Sequence, residues 1–180
     1  MSTPLAEIIE RAHRSLSATA LPHAFGGALA LAYHVEEPRA TRDIDVNVFV
    51  PPERARDVLD SLAGITWAET DAALLERDGQ ARVFYEDTPI DLFLVNHPFH
   101  EQAAANIERV PFLAGTIPIL SATDLAVFKV FFDRTKDWAD LEAMVEARSV
   151  DLHIVMGWVV DLLGTDDPRV GRLRGLAHSI

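Results

Sequence analysis

The 180-residue chain is 49% apolar and 24% charged, which allows a sizeable core and argues against disorder. It has no cysteine, so disulfide staples, thiolate zinc sites and a cysteine nucleophile are excluded, and a cytoplasmic setting is expected. The net charge is −12 and no third of the chain is basic, so an extended nucleic-acid surface is not favoured, although a small polyanion held in a local pocket stays compatible.

In chain order, residues 5–15 read as an amphipathic helix. Glu7 and Glu10 interrupt its apolar pattern, so a signal peptide is not expected. No apolar run approaches the roughly 20 residues that a membrane-spanning helix needs, and no membrane partner is expected. A short strand at 23–25 leads to the step Gly26-Gly27 and then to an Ala- and Leu-rich helix over 28–34. The segment "EEPRATR" is a loop broken by Pro38. In "DIDVNVFV", Ile44, Val46, Val48 and Val50 alternate with Asp43, Asp45, Asn47 and Phe49, the period of a strand with one apolar face. Pro51-Pro52 end that strand and open a helix to about Leu62. Strands are expected at 81–85 and 89–95 around the turn "EDT", with one or two more in "ERVPFLAGTIPIL". Ser121 and Asp124 form an acidic capping box, and helices are expected at 123–133, 137–147, 152–163 and 169–177. The fold class is therefore α/β (α+β): a mixed part over residues 1–120 and a helical part over 121–180.

The aspartates break the pattern. Residues i and i+2 of a strand share a face, so Asp43 and Asp45 project together while Ile44 points to the core. "PIDLFLV" repeats the oddity: Ile90, Leu92 and Leu94 take one face, Asp91, Phe93 and Val95 the other. Aspartate is depleted in strands. If the two strands are neighbours, three carboxylates converge, and unit charges 4 Å apart repel by about 4 kcal/mol at an effective dielectric of 20. Protonation or a divalent cation relieves such a cluster, and Mg²⁺ suits carboxylates combined with phosphates. Gly26-Gly27 supplies a complementary half, since glycine lets a backbone pass close to a ligand and helix N-termini attract phosphate. Taken singly, each feature has a plain reading: a Gly-Gly turn, a solvated strand end, a buried hydrogen-bonded carboxylate. Their joint order and phasing point instead to phosphoryl or nucleotidyl transfer.

The order "GG…DID…ID" resembles the nucleotidyltransferase superfamily of DNA polymerase β type. The segment "SATDLAVFKVFFDRTKDWADLEAM" resembles its AbiEii-like branch, nucleotidyltransferase toxins of abortive-infection and toxin–antitoxin systems. The resemblance implies a small mixed sheet flanked by helices, followed by a helical part. It implies Mg²⁺ on Asp43, Asp45 and Asp91, with two ions during catalysis. Gly26, Gly27 and Lys129 would contact the triphosphate, and Thr41 and Arg42, just before the aspartates, are further candidates for phosphate contact. The implied partners are a nucleoside triphosphate, an acceptor of unspecified kind (an RNA 3′ end, a protein hydroxyl or a small molecule) and an antitoxin protein. The position after Gly26 is glycine here, where the pattern also allows serine. Two alternatives stand beside this reading: an inactive member serving as nucleotide sensor or interaction module, and a small α/β domain using its carboxylates for structural Ca²⁺.

Other residues carry plainer expectations. Lys129 lies next to a core stripe of Leu125, Phe128 and Phe132, at the edge where a lysine snorkels. Asp137 and Asp140 read as a solvated helix start. His97 and His100 in "NHPFH" make a poor metal pair, because Pro98 argues against a fixed helical spacing. Trp67, Trp138 and Trp158 read as core residues.

Overall fold

The computed structural model describes residues 3–37 and 39–178; Pro38, expected to break the loop before the aspartates, lies outside them. The chain divides into two compact units, Met1–Leu29 with Arg39–Leu120, and Ala30–Pro38 with Ser121–Ile180.

The first unit is built on a sheet. Helix α1 (Leu5–Ala18) buries Ile8, Ile9, Ala12 and Leu16 along one stripe. Strand β1 (His23–Phe25) follows, then α2 (Gly27–Leu31), β2 (Ile44–Val48), a 3-10 turn at Pro52–Arg54 and α3 (Ala55–Ser61). Helix α4 (Glu69–Asp78), β3 (Gln80–Tyr85), β4 (Thr88–Leu94), α5 (Phe99–Ala105), β5 (Glu108–Phe112) and β6 (Gly115–Ile119) complete it. The six strands run in the order β3-β4-β2-β1-β6-β5. β2 is parallel to β4 and β1 to β6, whereas β1–β2, β3–β4 and β5–β6 are antiparallel. Ile44, Val46, Val48, Ile90, Leu92 and Leu94 are all buried, as the period of two predicts. Helix α4 packs on β3, and α3 lies against both α1 and α4.

Two helices were not assigned from the sequence. Helix α4 opens where the Asp71 carboxylate accepts the Ala68 N–H at 2.8 Å, and ends at Gly79, whose φ of +68° favours glycine. Helix α5 is only seven residues long and is preceded by Pro98. The Phe99 N–H donates to His97 Nδ1 at 3.1 Å, and the buried His100 places Nδ1 3.2 Å from the His97 carbonyl. The two histidines therefore organise a helix start. Helix α2 is shorter than expected: it stops at Leu31 and continues only as hydrogen-bonded turns to His34. Five residues carry little macrodipole, so the phosphate affinity expected of a longer helix N-terminus is weakened there.

The second unit holds α6 (Ala122–Phe132), α7 (Thr135–Glu146), α8 (Leu152–Leu163) and α9 (Pro168–His178). Ser121 Oγ accepts the Asp124 N–H at 3.2 Å and donates to the Asp124 carboxylate at 2.6 Å, the expected capping arrangement. Asp151 caps α8 through the N–H groups of His153 and Ile154. Trp138 is buried, donates Nε1–H to Asp133 at 2.6 Å and carries the Arg172 guanidinium 4.1 Å above its ring. Trp67 and Trp158 are only partly buried. Among the described residues, no helix is long and apolar enough to cross a membrane.

Candidate active site

The sheet brings the sequence-predicted carboxylates together by register. β2 and β4 are parallel neighbours, and Asp45 lies directly opposite Asp91. Both project from the face opposite Ile44 and Ile90, because side chains alternate. Asp43 precedes β2 by one residue and shares the phase of Asp45. The carboxylates are partly sheltered: the Asp43 and Asp91 side chains are 26% and 17% exposed.

Thr41 lies against Asp43. Its hydroxyl donates to Asp43 Oδ1 and also reaches the Asp43 carbonyl at 3.2 Å. In this arrangement Thr41 orients the first carboxylate. Arg42 is exposed.

The Gly-Gly step packs directly on the second carboxylate. The Gly26 N–H donates to the Asp45 carbonyl at 2.9 Å, extending the β1–β2 ladder by one bond. Gly27 has φ +53°, and a Cβ built there would overlap the Asp45 carboxylate, 2.6 Å from its Cγ. Only glycine meets both demands, left-handed backbone and no side chain. A Cβ on Gly26 would meet Asn47 Nδ2 at 3.1 Å and Leu120 at 3.3 Å. Asn47 shares the face of Asp45, is 3% exposed, and its buried Oδ1 has no hydrogen-bond partner among the described residues. A buried acceptor without a donor is costly, so a donor from a ligand or water would be stabilising there.

One residue that the sequence reading did not single out completes the cluster. Arg82 on β3 stands opposite Asp91 in the β3–β4 register. Its Nε and Nη2 donate to the two Asp91 oxygens, each at 2.6 Å, and Nη2 lies 3.9 Å from Asp43 Oδ2. Asp91 first, then Asp43 and Asp45, hold the guanidinium more strongly protonated than usual. Arg82, Asp91 and Asp45 thus form one row across three adjacent strands. The signal was present in the sequence: a turn at Glu86-Asp87 puts Tyr85 opposite Thr88, and hence Arg82 opposite Asp91.

Lys129 belongs to the second unit. It is 4% exposed, its Nζ lies 2.6 Å from Asp140 Oδ2 and 3.9 Å from Asp137 Oδ1. Asp137 and Asp140 are 1% and 5% exposed, so the expectation of a solvated helix start is corrected. Lys129, Asp137 and Asp140 form a buried network, and the half-exposed Arg134 guanidinium joins it through two bonds to Asp137 at 2.6 and 3.1 Å.

The donor set of Asp43, Asp45 and Asp91 is all oxygen and anionic, which suits a hard divalent cation such as Mg²⁺. Placement on one face and the glycine backbone packed against Asp45 fit a cation–phosphate ligand. Among the described residues, no three His, Cys, Asp or Glu side chains are drawn close enough to chelate a metal as they stand. Both Asp91 oxygens are engaged by Arg82 instead.

No family model matches the chain, and no curated protein matches its sequence. Solved structures do match. The antibiotic-resistance factor ANT(2'')-Ia superposes in solution with a TM-score of 0.62 at 15% identity, covering 100% of each chain. The same factor in complex with adenylyl-2''-tobramycin gives 0.60 at 14% identity, over 96% of this chain and 98% of that one. The lincosamide antibiotic adenylyltransferase LnuA, bound to lincomycin, gives 0.54 at 12% identity over 78% and 96%. At these identities the likeness shows the fold: a nucleotidyltransferase-like mixed sheet flanked by helices, with a helical C-terminal part.

Proposed function

We propose that this chain is an Mg²⁺-dependent nucleotidyltransferase that moves a nucleoside monophosphate from a nucleoside triphosphate to a hydroxyl acceptor. The observation that carries the reading is the row Asp45–Asp91 with Asp43 beside it, set against the Gly27 backbone. Asp43 and Asp45 would hold the metal, and Asp91 would complete the site and take the proton from the attacking hydroxyl. That hydroxyl forms a bond to the α-phosphorus, and the bond to pyrophosphate breaks. When bound, Mg²⁺ supplies positive charge to the phosphate oxygens and neutralises the carboxylates. Thr41 fixes the rotamer of Asp43, Gly27 makes room for the Asp45 carboxylate, and the Gly26-Gly27 backbone would meet the triphosphate.

A small cationic, hydroxyl-bearing acceptor suits the chain best. Of the matching proteins, one is described in complex with adenylyl-2''-tobramycin and another bound to lincomycin, and a net charge of −12 attracts cations. The test is transfer of α-³²P-labelled NMP in Mg²⁺ to aminoglycosides, lincosamides, RNA 3′ ends and protein. Label on a small molecule that is lost in Asp45→Asn supports the proposal. Label on RNA or protein supports the toxin role that the AbiEii-like resemblance implies. The reading fails if no NTP binds and Asp43→Ala with Asp45→Ala changes neither metal nor nucleotide affinity.

A further inference from the structure

The outermost strand of the sheet points to a device inside the candidate site. β3 ends the strand order, so the Arg82 guanidinium reaches the carboxylates from the rim, with its side chain 51% exposed. We propose that Arg82 is a resident counter-ion that competes with the divalent cation for Asp91. Arg82 is thereby a positioning residue: it holds the third carboxylate through both of its oxygens, and loading the site requires exchange of one cation for another. The inference rests on the reading of Asp43, Asp45 and Asp91 as metal ligands.

Three features support exchange over a static ion pair. Both Asp91 oxygens are taken by one bidentate fork, so any ligand that needs an Asp91 oxygen must displace at least one 2.6 Å bond. The same guanidinium stands 3.9 Å from Asp43, so it serves two of the three acids at once, as a shared metal would. The edge position gives the displaced side chain solvent to swing into, and a strongly hydrated surface makes that release inexpensive. One arginine among three carboxylates still leaves an excess of negative charge, so the site keeps its attraction for a divalent cation while Arg82 is in place.

The test is the affinity of Mn²⁺ alone for the full chain, followed by electron paramagnetic resonance without nucleotide. Arg82→Gln should bind Mn²⁺ on the order of tenfold more tightly than the wild type, which is about 1.4 kcal/mol. Arg77→Gln removes the same charge from the exposed face of α4, where Arg77 pairs with Asp78, and should change the affinity by less than about twofold. Arg82→Lys, which cannot make the fork, should fall between wild type and Arg82→Gln. In the wild type, Mg²⁺ should shift the Arg82 Nε–H resonance away from its hydrogen-bonded position, a readout that needs no variant. Arg82→Gln binding Mn²⁺ no more tightly than wild type, with an unmoved Nε–H signal, overturns the competition. If Asp45→Asn also leaves Mn²⁺ binding unchanged, the metal site itself is wrong, and the proposed function falls with it.

Discussion

Gly27 and Asp45 occupy mutually exclusive space: any Cβ on the glycine would enter the aspartate's carboxylate. Gly27→Ala should therefore cost stability and function together. The left-handed backbone alone costs about 1–2 kcal/mol for a residue with a side chain, and the overlap turns the Asp45 carboxylate away. Urea unfolding and titration with a fluorescent Mg²⁺-nucleotide check this. Gly26→Ala is the milder partner, because its added Cβ meets the tips of Asn47 and Leu120 at 3.1 and 3.3 Å and Asp45 Cβ at an ordinary 3.7 Å.

The Lys129–Asp140 pair gives a prediction that separates structure from catalysis. Lys129→Ala leaves a buried carboxylate without its cation and should destabilise the chain by about 3–5 kcal/mol. Lys129→Met with Asp140→Leu removes both charges and should recover most of that loss in thermal melts. If Lys129 also meets the triphosphate, as the resemblance implies, the double variant folds but binds nucleotide less tightly. Unchanged nucleotide affinity in the recovered double variant assigns Lys129 to the helical core alone.

His23 should make stability fall on the acid side. It is 6% exposed, its Nδ1 lies 2.8 Å from the Leu21 carbonyl, and its Nε2 lies 2.8 Å from His13 Nδ1. With Nδ1–H donated to the carbonyl, Nε2 accepts from His13, so the buried ring is neutral. Burial holds its pKa near 4, with His13 and Arg109 acting in the same direction and the Leu21 carbonyl against it. The unfolded ring titrates near 6.5, so the unfolded state binds more protons, and stability is lost as pH falls from about 6.5 to about 4. The loss is on the order of 3 kcal/mol. His23→Gln should flatten that part of the urea-midpoint profile, and an unchanged slope would remove His23 from the account.

Thr41→Val tests how the first carboxylate is aimed. Losing the hydroxyl that bonds Asp43 should weaken Mn²⁺ binding by about three- to tenfold, the cost of one oriented hydrogen bond. The fold should be unaffected, since Thr41 is only partly buried and lies outside the strands. Thr41→Ser should restore the affinity.

The parts legible in the sequence were those written in short-range periodicity. The alternation around Asp43, Asp45 and Asp91 located β2 and β4 and the face shared by the acids. The helix starts at Ser121 and Asp151 carry side-chain caps within three residues. Helices α4 and α5 lack a Ser, Thr, Asp or Asn side chain at the N-cap: their starts rest on the Ala68 N–H bonded to Asp71 and on the His97 ring accepting the Phe99 N–H. The Asp91–Arg82 fork follows from the register of the short turn at Glu86-Asp87, whereas the Lys129–Asp140 bond spans eleven residues and depends on how α6 and α7 pack. The burial of Asp137 and Asp140 was hidden because their neighbours Lys136 and Arg134 made the segment look like a solvated run.

The register between β2 and β4 has a consequence for how this protein fails. A slip of one residue would exchange Asp45 for Ile44 on the carboxylate face and press a carboxylate into the apolar layer. A sheet mispaired by one residue therefore loses the shared carboxylate face. Strand alignment thus decides whether Asp45 and Asp91 stand side by side on one face.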